Sequence, residues 1–448
     1  MAFLLGVGYG IYRLQIEVLL IAAAAIAGLI AARLGYSWPE MQEGIVEGIA
    51  KALPAVFILV SVGALIGTWM ISGTIPLLVY IGLRAISPRF FLVTGCLLCS
   101  IVSLFTGTSW GTAGTMGIAL MGIAAGLGVS PAAAGGAIVA GAYFGDKLSP
   151  FSDTTNLAPV AARSNLFDHI RHMLWTTMPA WVLGLLVYLA IGLRAEPGAP
   201  DDRVARILEV LSSSFHMSAW ALVPLPIVFY FAVRKRPTVP GILLGSAAAA
   251  LVALVIQRQP IALIAEAAVS GYVADTGDPA VDNLLSRGGM GSMMEVTLIV
   301  FAAFSFAGIA NRAGLLEVVL NLLLRKTRTA GQLIAATVGS TVFTALITGS
   351  SYLTILMPGE LFAPAYRKRG LAAKNLSRTL EDSGTVVVPL IPWSAAGVFM
   401  AATLGVPTLS YLPWAVLNYT GLLFALLYGF TGFAIAPRIR EDETQPGS

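Results

Sequence analysis

The sequence predicts an all-α protein that crosses a membrane many times. Of its 448 residues, 57% are hydrophobic and only 11% are charged, and the mean hydropathy is +0.83. Soluble domains carry about 25% charged residues, so this composition excludes an ordinary soluble protein. The apolar runs are about 17–23 residues long, which is the length of a membrane-spanning helix and not of a barrel strand. Counting these runs predicts about eleven to thirteen transmembrane helices.

The distribution of charge also fits a membrane protein. The formal net charge is +4, and the basic residues cluster in short segments between apolar runs, such as Arg234–Arg236, Arg325–Arg328 and Arg367–Arg369. Positive-inside sorting produces this pattern. We therefore expect membrane lipid as the surroundings and no nucleic-acid partner, with a homodimer as an open alternative to a monomer.

The chain divides into five segments by its order of apolar and polar stretches. Residues 1–52 hold a first membrane helix, from about Leu14 to Leu34, and an amphipathic interfacial segment. Residues 53–194 and 293–436 form two repeats, and residues 195–292 form a linker with two membrane helices. Residues 437–448 form a polar C-terminal tail.

A polar stretch interrupts the apolar part of the first repeat between Gly145 and Asn156. Its polar members are Asp146, Lys147, Ser149, Ser152, Asp153, Thr154, Thr155 and Asn156. A charge at bilayer depth costs at least ~2.5 kcal/mol, so such a cluster needs a function. Pro150 removes a backbone donor and disfavours helical geometry at the residue before it. We predict a helix that unwinds in mid-membrane and presents oxygen ligands, which suit a hard cation such as Na+.

The second half of the chain repeats polar features of the first half. The segment Thr106–Thr112 recurs as Thr348–Thr354, at an offset of 242 residues. Both segments are rich in Gly, Ser and Thr, which indicates re-entrant or broken structure; close helix packing through small residues is the alternative. An acidic break recurs as well, with Glu381 and Asp382 ahead of two prolines. Paired broken helices are typical of secondary transporters with inverted repeats, and we expect the two turns to approach each other.

Several of these stretches resemble the signature of the NhaC family of Na+/H+ antiporters. They are Gly141–Lys147 with Ser152–Pro159, Phe167–Leu174, and Asn375–Thr385 with Pro389–Trp393. The resemblance implies an inverted-repeat transporter of the bacterial inner membrane that exchanges external protons for internal Na+. Some relatives exchange organic acids instead. Family members often have an acidic residue where this chain has Ser350, which leaves room for an organic substrate with a carboxylate.

Antiport requires one site that holds either of two cations but never both. Buried carboxylates provide such a site, because desolvation favours the protonated form and a bound Na+ favours the ionised form. The candidate carboxylates are Asp146, Asp153, Asp382 and Glu381. The candidate supporting side chains are Thr106, Ser109, Thr112, Ser149, Thr154, Thr155, Asn156, Ser350, Ser351, Thr354 and Thr385. We expect no cofactor and no metal beyond the transported Na+.

The same residues have structural interpretations that the sequence leaves open. Asp146 and Lys147 could form an ion pair at a helix end, and Asp153 could be an N-cap. His169 and His172 suggest a pH sensor, although an ordinary amphipathic helix start at the membrane edge is the simpler interpretation.

Other classes of function have less support in the sequence. The chain has no His-Glu-x-x-His motif and no nucleophile elbow, which disfavours an intramembrane enzyme. Channels build selectivity from oligomer symmetry rather than from paired broken helices in one chain. The main alternative to Na+/H+ exchange is therefore Na+- or H+-coupled transport of a small organic acid or amino acid.

Overall fold

The computed structural model describes residues 14–194, 201–234 and 236–437, together with residues 4, 7, 8, 11 and 12. At residues 201–203 and 280 it describes the backbone alone. The predicted C-terminal tail lies outside the described residues except for Pro437. In the part of the chain that is described, the regular structure is helical, and extended backbone pairs only at two isolated β-bridges.

The helices are numbered here in chain order. Those up to residue 194 are α1 Ile16–Arg33, α2 Trp38–Ile71, α3 Thr74–Ala85, α4 Phe91–Thr106, α5 Ser109–Thr112, α6 Ile118–Gly126, α7 Pro131–Leu148, α8 Asp153–Ala162 and α9 Leu166–Arg194. Those of the linker are α10 Asp201–Ser214, α11 Pro224–Val233, α12 Thr238–Val255, α13 Ile261–Ser270 and α14 Pro279–Leu285. Those that follow are α15 Met294–Arg312, α16 Leu315–Arg325, α17 Ala330–Thr348, α18 Ser351–Lys368, α19 Ala373–Leu380, α20 Ala395–Leu404, α21 Thr408–Tyr411 and α22 Val416–Thr431. There are also two π-helical turns. Ala113–Gly117 joins α5 to α6, and Glu381–Thr385 extends α19.

Apolar helices of membrane-spanning length make this a multi-pass membrane protein. Seven helices among the described residues are long and apolar enough to cross a membrane, and the number rises to ten if each of three bent helix pairs is one span. The sequence analysis expected about eleven to thirteen spans because it also counted shorter helices and more polar helices around the two breaks. The predicted all-α polytopic architecture is confirmed.

Helix α2 joins two segments that the sequence analysis separated. It has 34 residues and contains Pro54, so the expected interfacial segment is continuous with the span that follows. The reason lies in packing, because Gly44 and Gly48 in its amphipathic part contact backbone carbonyls of α15. The expected division at residue 52 therefore falls inside a helix.

The two halves of the chain have the same succession of elements at one offset of 242 residues. Equivalent helix ends are Thr106 and Thr348, Pro131 and Ala373, Asp153 and Ala395, and Ala162 and Leu404. The similarity noticed in a few polar residues is therefore a similarity of fold.

The first long helices of the two halves, α2 and α15, run antiparallel. Gly48 lies against the carbonyl of Phe304, and Gly63, further along α2, lies against Met293 at the start of α15. Small residues allow two helix backbones to approach this closely. An inverted repeat requires equivalent helices to run antiparallel, as these two do. The boundaries of the two repeats, at residues 53–194 and 293–436, stay a prediction.

Candidate functional site

Each half contains a helical hairpin whose tip has the same backbone structure. In the first hairpin, Gly107 has a φ of 69° and Thr108 caps the next helix. In the second, Gly349 has a φ of 61° and Ser350 is the cap. Glycine adopts positive φ without the steric cost of a Cβ atom, and Ser and Thr side chains accept hydrogen bonds from the first helical amides. We call Thr106–Ser109 the first tip and Thr348–Ser351 the second tip.

A broken helix passes beside each tip. Helix α7 ends at Leu148, and α8 begins at Asp153 with Ser152 as its cap. The predicted unwound segment between Asp146 and Asp153 is thus present. In the second half, Glu381 and Asp382 lie in a π-helical turn, and the break comes later, before the cap Ser394. Its two prolines, and not the acidic pair, set the position of this second break.

The tips pack tightly on the breaks. A Cβ atom on Gly107 would lie 2.7 Å from the backbone of Phe151 and 2.9 Å from the amide of Ser152. On Gly349 it would lie 3.1 Å from the Cα atom of Ser394. Ser152 and Ser394 are equivalent at the offset of 242 residues. The tip glycine therefore makes the same contact in each half.

Asp146 lies at the end of α7 and binds the first tip. Its side chain is 8% exposed, and its Oδ2 atom accepts a hydrogen bond from Ser109 Oγ at 2.6 Å. The Ser109 amide and the Ser152 hydroxyl also interact with this carboxylate. Thr155 Oγ1 donates to the carbonyls of Asp146 and Lys147 at 3.2 and 3.0 Å. The Asp146 carbonyl also accepts a hydrogen bond from the Ser149 amide at 3.1 Å, so Thr155 adds to the bonds of the last helical carbonyls where the helix stops.

Lys147 joins the two halves of the molecule through an ion pair with Asp382. The two side chains are 2% and 0% exposed. Thr176 Oγ1 donates to the same carboxylate oxygen at 3.0 Å, and Arg378 Nε lies 4.0 Å from the other oxygen. The alternative of an ion pair between Lys147 and Asp146 is not found, because adjacent residues of a helix do not face each other.

Glu381 is fully buried beside this ion pair. Lys147 and Thr385 are near enough to interact with it, yet neither carboxylate oxygen has a hydrogen bond of normal geometry to any described residue. A buried carboxyl without such bonds is costly to ionise. Glu381 therefore stays a candidate for holding a proton.

A cavity of about 1150 Å³ lies between the two tips. Predicted site residues in its lining are Thr106, Ser109, Asp146, Asp153, Thr154, Asn156, Ser350, Ser351 and Thr385. Two cationic side chains, Lys51 and Arg236, also border it. The two tips therefore share one cavity, and Asp146 lies in its wall.

Asp153 is exposed at this cavity, whereas the sequence analysis expected a buried carboxylate. It is the first residue of α8, and the cap is Ser152 instead. The Tyr352 hydroxyl donates to its Oδ2 atom at 3.4 Å. A negative charge in the first turn of a helix is stabilised by the helix dipole, which explains an acid here without a bound ion.

Other predicted supporting residues bond to the backbone. Thr112, Thr354 and Ser149 donate to the carbonyls of Thr108, Ser351 and Leu104, respectively. Asn156 donates to the carbonyls of Pro150 and Ser152. Thr112, Thr354 and Ser149 therefore stabilise the tips and the break from outside the cavity lining, whereas Asn156 stabilises the break and also lines the cavity.

The two histidines are buried, which corrects the expectation of an exposed membrane edge. His169 is 0% exposed and His172 is 7% exposed. His172 Nε2 lies 3.0 Å from Asn375 Oδ1, and neither ring nitrogen of His169 has a partner among the residues described. Both lie on α9, outside the cavity lining.

Comparisons with known proteins give the family of this chain, and the matched region contains both helix breaks. A family model described as the Na+/H+ antiporter family matches residues 141–433. The chain is 44% identical to a protein of Haemophilus influenzae named as an uncharacterised Na+/H+ antiporter, with 97% of this chain and 95% of that protein covered. It is 39% identical to the Na+/H+ antiporter NhaC of Alkalihalophilus pseudofirmus, with 95% and 92% covered. The chain belongs to the NhaC family of Na+/H+ antiporters.

Membership of the NhaC family confirms the resemblance found in the sequence and points to a transporter rather than an enzyme. Relatives differ in what their names say they carry. One is the malate-2H+/Na+-lactate antiporter of Bacillus subtilis, which is 38% identical, with 94% of this chain and 90% of that protein covered.

Sequence reasoning on this NhaC-family chain missed two partners of Asp382. Thr176 lies next to Thr177 at the start of the apolar part of α9, where a hydroxyl carries little signal. Arg378 could have been found, because it precedes Asp382 by four residues and therefore shares its helix face.

Proposed function

We propose that the protein exchanges Na+ for protons, with Asp146 as the carboxylate that binds either cation. The observation that carries this proposal is the position of Asp146. It is buried at a helix break, bonded to the first tip through Ser109, and lies in the wall of the shared cavity. No other carboxylate among the described residues that line this cavity is buried.

Competition at Asp146 would couple the two ions. A carboxylate and a Ser hydroxyl are hard oxygen ligands, which suit Na+. Burial makes the ionised carboxylate costly unless a cation is present, so it takes up either Na+ or a proton. One carboxylate that cannot hold both ions makes the exchange obligatory.

Asp382 has a different role in this proposal. It already has Lys147 as its counter-ion and Thr176 as a donor, so no Na+ is needed to balance its charge. We assign the Lys147–Asp382 pair to holding the two broken helices together while the ions exchange at Asp146.

Basic side chains border the cavity, namely Lys51 and Arg236. Lys and Arg are enriched on the cytoplasmic side of membrane proteins. We therefore propose a bacterial inner-membrane protein whose cavity is open to the cytoplasm, and alternating access between the inverted halves would open it to the other side.

Proton movement in proteoliposomes tests the proposal. In vesicles with an imposed pH gradient, addition of Na+ should dissipate the gradient. Asp146→Asn keeps the shape and most of the hydrogen bonding but removes the titratable charge, so it should lower the rate at least ~100-fold, by the loss of a group that acts in every cycle. The matched control is Asp168→Asn, an exposed acid outside the cavity. Equal rates for the Asp146 variant and the control would refute the assignment.

Transport of a small organic acid is the second candidate function. The observation in its favour is cavity size, because about 1150 Å³ far exceeds the ~30 Å³ that a water molecule occupies in the liquid. The same vesicles distinguish the two functions. Counterflow of a labelled acid without dependence of proton movement on Na+ would favour the organic substrate.

A further inference from the structure

The base of the second hairpin carries a dense group of positive charges. Helix α17 starts there and is long and apolar enough to cross a membrane, and α18 returns from the second tip to end beside it. Arg369, just after α18, joins the two ends, because its Nη2 atom donates to the carbonyl and the hydroxyl of Thr327 at 2.5 and 3.1 Å. Two basic runs of the sequence therefore meet at the hairpin base. We call their exposed members the basic cluster: Arg325, Lys326, Arg328, Arg367 and Lys368.

The charges of the basic cluster are not balanced within the described part of the chain. None of the ion pairs found among the described residues includes a member of the cluster. The preceding acids on α16 and α18 are Glu317, eight residues before Arg325, and Glu360, seven residues before Arg367. Such spacings correspond to at least ~10 Å along a helix. Like charges that are held together repel each other, and a bound anion would remove this cost.

The base of the first hairpin has no such cluster. Arg84 and Arg89 precede α4 on one side, and residues 127–130, which follow α6 on the other side, include no charged residue. The Arg84 guanidinium also lies over the ring of Tyr80, with its Cζ atom 4.4 Å from the ring centroid. Positive-inside sorting explains why loops on one side of a membrane are basic. It does not require two basic runs to be joined at one hairpin base, as they are in the second half.

Helix α16 leads into the basic cluster and has an apolar surface beside it. Val318 and Leu322 are 60% and 53% exposed. Together with Arg325 they follow the i, i+4, i+7 spacing of one helix face, while Leu316 and Leu320 are buried on another face. An apolar stripe that ends in positive charge is typical of helices at a membrane surface, where apolar side chains contact acyl chains and basic side chains reach the headgroups.

We propose that the basic cluster binds the phosphate headgroups of anionic phospholipids. Groups of Lys and Arg beside a membrane-spanning segment attract such lipids. The acyl chains would lie against Val318 and Leu322, and the phosphates would join the segment before α17 to the end of α18. Bound lipid would then hold together the base of the hairpin whose tip borders the cavity. This inference does not depend on which ions or solutes the protein exchanges.

Lipid binding is measured as a rise in the unfolding temperature of the purified full-length protein in a neutral detergent, since a ligand that binds only the folded state stabilises it. The probes are dioleoylphosphatidylglycerol, dioleoylphosphatidylcholine, which has the same chains but no net charge, and glycerol phosphate, which is the free headgroup anion. We expect phosphatidylglycerol to raise the unfolding temperature by more than phosphatidylcholine does. Glycerol phosphate at the same ionic strength should leave it unchanged.

Two double variants test the residues of the basic cluster, Arg325→Gln/Lys326→Gln and Arg367→Gln/Lys368→Gln. A basic residue near an anionic surface changes binding roughly fivefold, so each variant should raise the phosphatidylglycerol concentration at half of the shift by about tenfold or more. The matched control is Arg84→Gln/Arg89→Gln, which removes two exposed charges from the base of the first hairpin. It should leave this concentration unchanged.

The C-terminal tail is the other candidate occupant of the basic cluster. Pro437 forms a β-bridge with Leu371, close to the end of α18, and three acids, Glu441, Asp442 and Glu443, follow in the sequence. We expect the variant Glu441→Gln/Asp442→Asn/Glu443→Gln to bind phosphatidylglycerol as the wild type does. Much tighter binding by this variant would assign the cluster to the tail and overturn the proposal.

Four further results would overturn the lipid site. Phosphatidylglycerol stabilises the protein no more than phosphatidylcholine does, glycerol phosphate alone gives the full shift, both double variants bind phosphatidylglycerol as the wild type does, or the control weakens binding as much as they do. The substituted side chains of the cluster are exposed, so we expect the variants to fold, and their unfolding temperatures without lipid check this. If one double variant does not fold, unchanged binding in the other overturns the proposal.

Discussion

The first and second tips have the same fold and different chemistry. Both have a left-handed glycine, a hydroxyl cap and a contact with the cap of a neighbouring broken helix. The first tip binds a carboxylate of the chain, Asp146, whereas the chain has Val388 at the position that is equivalent by the offset of 242 residues. The comparison shows that the repeat supplies the scaffold, and that a single difference within it gives the first half a carboxylate where the second half has an apolar side chain.

The link between the halves should be the most sensitive point of this arrangement. Lys147→Met leaves Asp382 buried without its main counter-ion, and breaking a buried pair in this way costs about 3–5 kcal/mol. We expect a corresponding loss in the free energy of unfolding, measured by denaturation in detergent. The double variant Lys147→Met/Asp382→Asn should recover part of it, because no unpaired acid remains. A double variant less stable than Lys147→Met would contradict the assignment.

The two tip glycines should differ in their tolerance of a side chain. Alanine at either position lowers the free energy of unfolding by about 1–2 kcal/mol, because the backbone there is left-handed. Gly107→Ala also clashes with the backbone of Phe151, whereas Gly349→Ala makes a milder contact with Ser394. We expect Gly107→Ala to be the less stable variant in thermal unfolding. Gly314→Ala is the control, because its φ is 65° and no atom lies within 4 Å of the added Cβ. Equal losses for all three variants would mean that the tips are not packed as described.

The equivalent serines of the two tips should differ in their effect on cation affinity. Ser109→Ala removes the hydrogen bond to Asp146, and bonds to charged groups contribute about 1.5–3 kcal/mol. We expect apparent Na+ affinity in proteoliposomes to fall about tenfold or more, by the same energy. Ser351→Ala should change it less than twofold, since its hydroxyl has no hydrogen bond to any described carboxylate. Equal effects would show that the cation contacts both tips.

The smallest effect is expected at the end of α7. Thr155 Oγ1 bonds to the carbonyls of Asp146 and Lys147. Thr155→Val should therefore cost about 1 kcal/mol of stability, the typical net value of one such bond. Thr112→Val, which loses one bond to the carbonyl of Thr108, provides the comparison in the same unfolding assay. No loss in Thr155→Val would mean that the bonds from Thr155 add nothing to the stability of this break.

The sequence was sufficient to predict the membrane class, the break at Pro150 and the repeated tips. Each of these depends on local composition, on proline geometry or on a recurring pattern of small and hydroxylated residues. Long-range pairing was not predictable, because Lys147 and Asp382 are 235 residues apart. The exposure of Asp153 was also missed, since a sequence does not show which side of a helix faces a cavity. Position in the repeat does identify Val388 as the counterpart of Asp146, once the constant offset is known from the structure.

Direct Na+ binding as a function of pH tests the central claim, which is that Na+ and a proton compete for Asp146. Purified wild-type protein should bind labelled Na+ with an apparent dissociation constant that rises as the pH falls. If one proton competes, the rise approaches about tenfold per pH unit once the free site is mostly protonated. Asp146→Asn should lose this binding, and Asp168→Asn should retain it with the same pH dependence. Na+ binding in Asp146→Asn with wild-type affinity and pH dependence would contradict the account.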